Sequence, residues 1–188
     1  MTYNPEKHHR RSIRLKNYDY SQRGAYFITL CAKNRECLFG DIQNSTMILN
    51  EYGKIVEQCW MGLPDHYDNV KLDEYVIMPN HFHGIIWITD DARTDDNNVV
   101  GAIHESPLHE SPLHESPLQR RKMLLPKIIG RFKMNSAKQI NIIRNAPCIP
   151  VWQRNYYEHI IRDDESFYRI SEYIINNPEK WQEDDYYV

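Results

Sequence analysis

Residues Val70–Thr89 read VKLDEYVIMPNHFHGIIWIT. Two apolar, β-branched runs, Val70–Met78 and His81–Thr89, flank Pro79-Asn80, which predicts an antiparallel hairpin. Side chains alternate along a strand, so His81 and His83 share one face and Phe82 takes the other. Phe82 then joins the core while the two imidazoles converge on the opposite side. Two imidazoles at that spacing can hold one divalent cation, given a third protein ligand. A chain with nine histidines also produces such a pair by chance. The apolar flanks YVIM and GIIWI, however, are a poor fit to an ordinary solvated face.

Upstream of the hairpin, Ala25–Cys31 (AYFITLC) predicts a strand and Met47–Trp60 a helix, with Ile48, Tyr52, Ile55, Val56 and Cys59 at helical spacing. Gly62, Pro64 and Asp65 end that helix. Downstream, Pro126 suits a first helical turn. The helix it opens points Ile128, Ile129, Phe132 and Ile140 at the core. Lys127, Arg131 and Lys138 form a basic stripe within about 40° on its wheel, a pattern able to track a nucleic-acid backbone. Val151–Ile161 (VWQRNYYEHII) predicts a strand. Asp163 or Asp164 can cap a final helix that Pro178 stops. The order strand, helix, strand, strand, helix, strand, helix suggests an α+β, ferredoxin-like sandwich. Its antiparallel sheet carries helices on one face, leaves the other available, and is followed by a C-terminal helix bearing a tyrosine.

The chain has 188 residues, 41% hydrophobic and 26% charged, which fits a single domain over 1–188. No apolar run approaches the length of a membrane span. The first sixteen residues are basic without an apolar core, so they do not read as a signal peptide. Cys31, Cys37, Cys59 and Cys148 show no metal or disulfide spacing and read as reduced thiols of a cytoplasmic protein. His104–Leu118 is HESPL three times over, and its prolines exclude a helix or an interior strand. Together with the polar stretch before it, 90–118 reads as a mobile acidic insertion. Its histidines read as by-products of repeat expansion. The insertion holds seven acids against Arg93, so the net charge of −3 conceals a net basic remainder. Bases cluster near the start and over Arg120, Arg121, Lys122, Lys127, Arg131, Lys133 and Lys138, consistent with a phosphate-binding face or with plain solvated surface.

In the closing helix, DDESFYRISEYIINNP, Phe167, Ile170 and Ile174 form a buried stripe. Ser166, Arg169, Tyr173 and Asn177 form another, so Tyr173 and Asn177 sit one turn apart. A phenolic oxygen is a usable nucleophile once activated by a metal or a nearby cation. With thirteen tyrosines in the chain, packing is the ordinary role, and Tyr156 and Tyr157 are equally visible candidates on pattern alone.

MPNHFHGIIWI resembles the metal-binding motif of the HUH nucleases. WQRNYYEHIIRDDESFYRISEYIINNPEKW and the opening RRSIRLKNYDYSQRGAYFITLCAKNR resemble the REP-associated tyrosine transposases, relatives of the smallest single-tyrosine transposases. The resemblance covers most of the chain outside 90–118. It implies that His81 and His83 bind a divalent metal, Mg2+ or Mn2+, although imidazole-rich sites taken alone favour zinc, nickel or copper. It also implies that Tyr173 is the nucleophile. Asn177 stands where a longer polar side chain, often glutamine, completes the metal site. The implied activity is cleavage and strand transfer of hairpin-forming single-stranded DNA through a 5′-phosphotyrosine. Charge placement, separately, suggests Lys127, Arg131 and Lys138 for the DNA backbone, with Arg120, Arg121 and Lys122 nearby. The tyrosine can serve its own site or that of a partner in a homodimer, and the sequence leaves both open. Two other functions fit less of the pattern. One is a non-catalytic single-strand-binding module using strand aromatics such as Tyr26, Phe27, Tyr75 and Trp87. The other is a metallohydrolase that uses water.

Overall fold

A computed structural model describes residues 18–90 and 123–188. Most of the acidic insertion and the bases Arg120, Arg121 and Lys122 lie outside the described residues.

The strand β1 (Gly24–Cys31) is buried along nearly its whole length, as an unbroken apolar run requires when both faces of a sheet are covered. It lies between β5 (His81–Ile88) and β6 (Tyr157–Ile161), and β4 (Val70–Ile77) flanks β5. The sheet order β4-β5-β1-β6, antiparallel throughout, is that of a ferredoxin-like split βαβ arrangement. The expected hairpin forms as read, with Met78 N donating to His81 O across Pro79-Asn80 at 2.8 Å. One irregularity separates Leu72 from Tyr75 in β4, where a bulge shifts the register against β5.

Each face of the sheet has its own core. Tyr26, Ile28, Leu30, Phe82 and Ile86 point to the larger one, where α1 (Glu51–Met61) supplies Ile55, Val56 and Trp60. Helix α2 (Leu124–Ile143) adds Ile128, Ile129, Phe132 and Ile140, the four positions that the sequence pattern assigned to the core. Ala25, Phe27 and Ile85 point the other way, where α3 (Asp164–Asn176) adds Ile174. Phe167 and Ile170 pack against the same cluster while remaining partly exposed. Asp163 caps α3, its Oδ1 accepting from Ser166 N at 2.7 Å. So α1 and α2 share one face as expected, but the second face is not left open: α3 covers part of it.

Two element assignments need correction. Met47 and Ile48 do not begin a helix. They lie in β3 (Thr46–Leu49), paired with β2 (Gly40–Gln43) through Asn44-Ser45, both at positive φ. Asn50 is the true N-cap, accepting from Gly53 N at 3.0 Å, so the apparent helical spacing upstream of it was fortuitous. The strand read over Val151–Ile161 is also shorter. Trp152 makes only an isolated bridge to Ala32 and sends its Nε1 into the core to donate to Ser136 Oγ at 2.9 Å. Regular pairing starts at Tyr157.

Candidate active site

Strand alternation places His81 and His83 on the α3 face, while Phe82 is buried in the opposite core against Trp60. Both histidines are fully enclosed, because β5 is interior to the sheet and the two rings lie beneath α3 and the C-terminal segment. His83 lies opposite Thr29 of β1, whose Oγ1 is 2.8 Å from His83 Nδ1. Phe27 stacks on the His83 ring at 5.3 Å between centroids. Second-layer contacts of this kind fix the orientation of a ligand histidine.

The docking of Ile174 into the second core sets the rotation of α3, and Tyr173 follows from it. Its hydroxyl is 3.1 Å from His83 Nε2 within the same chain. One turn on, Asn177 is buried and its Nδ2 donates to Asp184 Oδ2 at 3.0 Å. Asp184 follows a short 3₁₀ turn, Trp181–Glu183, which carries the chain back over the histidines. Its Oδ2 is 3.9 Å from His81 Nε2, and its Oδ1 accepts from Tyr186 N at 2.7 Å. Ligating atoms of His81, His83 and Asp184 all lie within 4.8 Å of one another. A cleft of about 150 Å³, lined by Tyr173, Asn176, Asn177, Lys180, Glu183 and Asp184, opens beside them.

The electrostatics suit a cation. Burial pushes His81 down to about 4, against the opposing pull of Asp184, and burial with the neighbouring His81 ring holds His83 well below the ordinary imidazole value. Both rings are therefore neutral at pH 7 and available as ligands. Burial, reinforced by the Asp184 carboxylate, raises Tyr173 to about 12, so its hydroxyl keeps its proton without further help. Among the described residues, neither His81 Nε2 nor Asn177 Oδ1, both buried, has a hydrogen-bond partner within 3.5 Å. A buried polar atom without a partner costs roughly 1–3 kcal/mol. Two such atoms beside a carboxylate form a set whose missing partner is positive, and two imidazole nitrogens with two oxygens are a donor set that first-row divalent ions accept. The residues present fit a divalent metal.

The structure thus brings His81, His83, Tyr173 and Asn177 together. Asp184 escaped the sequence reading, because no motif spacing links it to the histidines and only the fold-back after Trp181 does so. Tyr157 lies opposite Thr29 on the same sheet face, whereas Tyr156 packs against the larger core. Lys127, Arg131 and Lys138 belong to α2, on the far side of the sheet from the tyrosine. Lys127 and Lys138 are exposed, and Arg131 lines a separate polar cleft with Gln58, His66 and Asn135.

A Haemophilus influenzae protein described only as uncharacterized is 45% identical over 187 residues, 99% of this chain and 97% of the relative. This chain belongs to the same family as that protein. A second Haemophilus influenzae protein, provisionally named a REP-associated tyrosine transposase, is 26% identical over 168 residues, covering 88% of this chain and 77% of its own. Distant homology therefore connects the chain to transposases. Two solved structures resemble it. One is a REP-associated tyrosine transposase bound to a REP hairpin, with TM-score 0.49, 15% identity, 89% of this chain and 73% of that one. The other is provisionally assigned as a transposase of Deinococcus radiodurans, with TM-score 0.46, 13% identity, 87% of this chain and 97% of that one. No protein-family model matches the chain. Among the described residues, no helix is long and apolar enough to cross a membrane.

Proposed function

We propose that this chain is a metal-dependent tyrosine endonuclease that cleaves single-stranded DNA next to a hairpin and can rejoin the ends. The observation that carries the reading is the 3.1 Å approach of the Tyr173 hydroxyl to His83 Nε2, inside a cluster completed by His81, Asn177 and Asp184.

The chemistry balances without an external energy source. Tyr173 Oη attacks the scissile phosphorus and loses its proton to solvent. The bond from phosphorus to the 3′-oxygen breaks, and that oxygen takes up a proton. A 5′-phosphotyrosine and a free 3′-hydroxyl result. Attack by a 3′-hydroxyl on the phosphotyrosine reverses the step, which permits strand transfer. His81, His83, Asp184 and Asn177 would hold Mg2+ or Mn2+, which supplies Lewis acidity to the phosphate oxygens when bound. Lys180, on the cleft wall beside Tyr173, is placed to attract the DNA backbone. Lys127, Arg131 and Lys138 are proposed to hold hairpin phosphates on the opposite layer, so the DNA would pass round an edge of the sheet; Arg120–Lys122, outside the described residues, are proposed to join them on charge alone. Neutralising them should flatten the salt dependence of binding. The reach of Tyr173 to a histidine of its own chain favours action in cis.

Incubation with labelled hairpin-bearing single-stranded DNA and Mn2+, followed by a denaturing gel, tests the proposal. The expected result is a covalent protein–DNA band that Tyr173→Phe and EDTA each abolish. Cleavage without an adduct would indicate a water-using hydrolase. Binding without cleavage, indifferent to metal and to His81→Ala, would indicate a binding module. An adduct that survives Tyr173→Phe would move the nucleophile elsewhere, with Tyr157 next in position.

A further inference from the structure

Asn80 reads in the sequence as a turn residue, yet its side chain is fully buried, and a turn alone does not require that. Its three polar contacts explain the burial. Asn80 Nδ2 donates to Arg35 O at 3.3 Å and to Tyr186 O at 2.8 Å. Carbonyl oxygens only accept, so the amide atom that meets both of them must be the nitrogen. That leaves Oδ1 facing His81 Nδ1 at 2.9 Å. An amide oxygen also only accepts, so the ring nitrogen opposite it must carry hydrogen. A neutral imidazole carries one hydrogen, and the other nitrogen then presents a lone pair. The other nitrogen is His81 Nε2, which is buried, has no hydrogen-bond partner among the described residues and faces the Asp184 carboxylate at 3.9 Å.

We propose that Asn80 is a positioning residue that fixes His81 with its hydrogen on Nδ1, so that the Nε2 lone pair is directed into the cluster of His83, Asn177 and Asp184. This rests on the metal-site reading above. The chain dictates the Asn80 orientation from two directions, the segment after β1 through Arg35 and the C-terminal segment through Tyr186. The amide therefore cannot flip without leaving both carbonyls unsatisfied. Without this constraint, His81 could place its hydrogen on Nε2 and donate it to Asp184, which would occupy the atoms a cation needs. Asn80 thus selects between a closed imidazole–carboxylate pair and an open ligand set.

Two measurements test the proposal. Nitrogen-15 NMR of the metal-free protein near pH 7, with the signal assigned by comparison with His81→Gln, should show His81 protonated at Nδ1 and unprotonated at Nε2. Calorimetric titration with Mn2+ should show Asn80→Ala binding about 10–100-fold more weakly than the wild type. An Nε2–H tautomer in the wild type overturns the proposal, and so does unchanged affinity in a folded Asn80→Ala. Should Asn80→Ala fail to fold, the wild-type tautomer still decides. Absence of Mn2+ binding by the wild type would sink the metal reading while leaving the tautomer assignment to stand or fall by NMR.

Discussion

Replacing Gly84 by alanine should destabilise the protein, against the usual effect of that exchange. Where the backbone permits it, glycine-to-alanine stabilises by about 0.4–1 kcal/mol through the unfolded chain. Gly84 sits in β5 between the two site-facing residues His83 and Ile85, and its missing side chain points into the larger core. A methyl group there would lie 2.7 Å from Trp60 Cζ2, 2.8 Å from Phe82 Cζ and 3.0 Å from Phe82 Cε1. Ordinary contact begins near 3.4 Å, so the rings must retreat by more than half an ångström. Neither has room, since both are fully buried and Phe132 lies 5.4 Å from Trp60 and 5.3 Å from Phe82 between ring centroids. Overpacking of this kind costs about 1–3 kcal/mol, which exceeds the entropic gain. The net loss should be about 1 kcal/mol, or a fall in Tm of about 2–4 °C for a chain of this length. Thermal unfolding followed by circular dichroism reads it directly. Trp60→Phe removes the nearer obstacle and gives the Phe82 ring space to retreat, so Gly84→Ala made in that background should lose less, a non-additivity expected of residues in contact. A Tm for Gly84→Ala equal to or above that of the wild type, or strict additivity with Trp60→Phe, would refute the packing described for β5.

Asp184→Asn removes the carboxylate charge while keeping an oxygen for Asn177 Nδ2. Mn2+ affinity measured by calorimetry should fall at least about tenfold with little change in Tm. Thr29→Val leaves His83 Nδ1 buried without its partner. Chemical denaturation should register a loss of about 1–3 kcal/mol, and metal affinity should fall alongside it. Stability should also depend on pH through the buried histidines. His81 is held at about 4 in the fold against about 6.5 in the unfolded chain, so the unfolded state takes up protons first as pH falls. The stability is fully present above about 6.5 and is lost progressively down to about 4, by about 3 kcal/mol from His81, with His83 acting in the same direction. In EDTA, the decline in Tm between pH 7 and 5 should be shallower for His81→Gln than for the wild type.

The hairpin at Pro79-Asn80, the opposed faces of Phe82 and the histidines, the core stripe of α2 and the cap at Asp163 were legible because each is written in local spacing. The β2–β3 hairpin was not, since Met47 and Ile48 continue an apolar spacing compatible with helix and the deciding feature is the positive φ of Asn44 and Ser45. The side of the sheet taken by α3 was equally hidden, because Ile174 seeks a second core that the sheet's twist and register create. Tyr173 and Asn177 were readable as a helical pair. Asp184 and Thr29 were not, as both reach the histidines only through tertiary contacts: a fold-back after Trp181 and the β1–β5 register. The bases of α2 were readable as neighbours on one helix, yet only the layer order shows that this helix lies across the sheet from the tyrosine.

Peptide mapping of the trapped protein–DNA complex tests the central claim most directly. Trypsin cutting after Arg169 and Lys180 releases Ile170–Lys180, ISEYIINNPEK, which contains a single tyrosine. After nuclease trimming, mass spectrometry should find the residual nucleotide on that peptide, at Tyr173. Nucleotide on the peptide bearing Tyr156 and Tyr157 or on the one bearing Tyr186 and Tyr187, or no modified peptide from a preparation that cleaves DNA, would contradict the account.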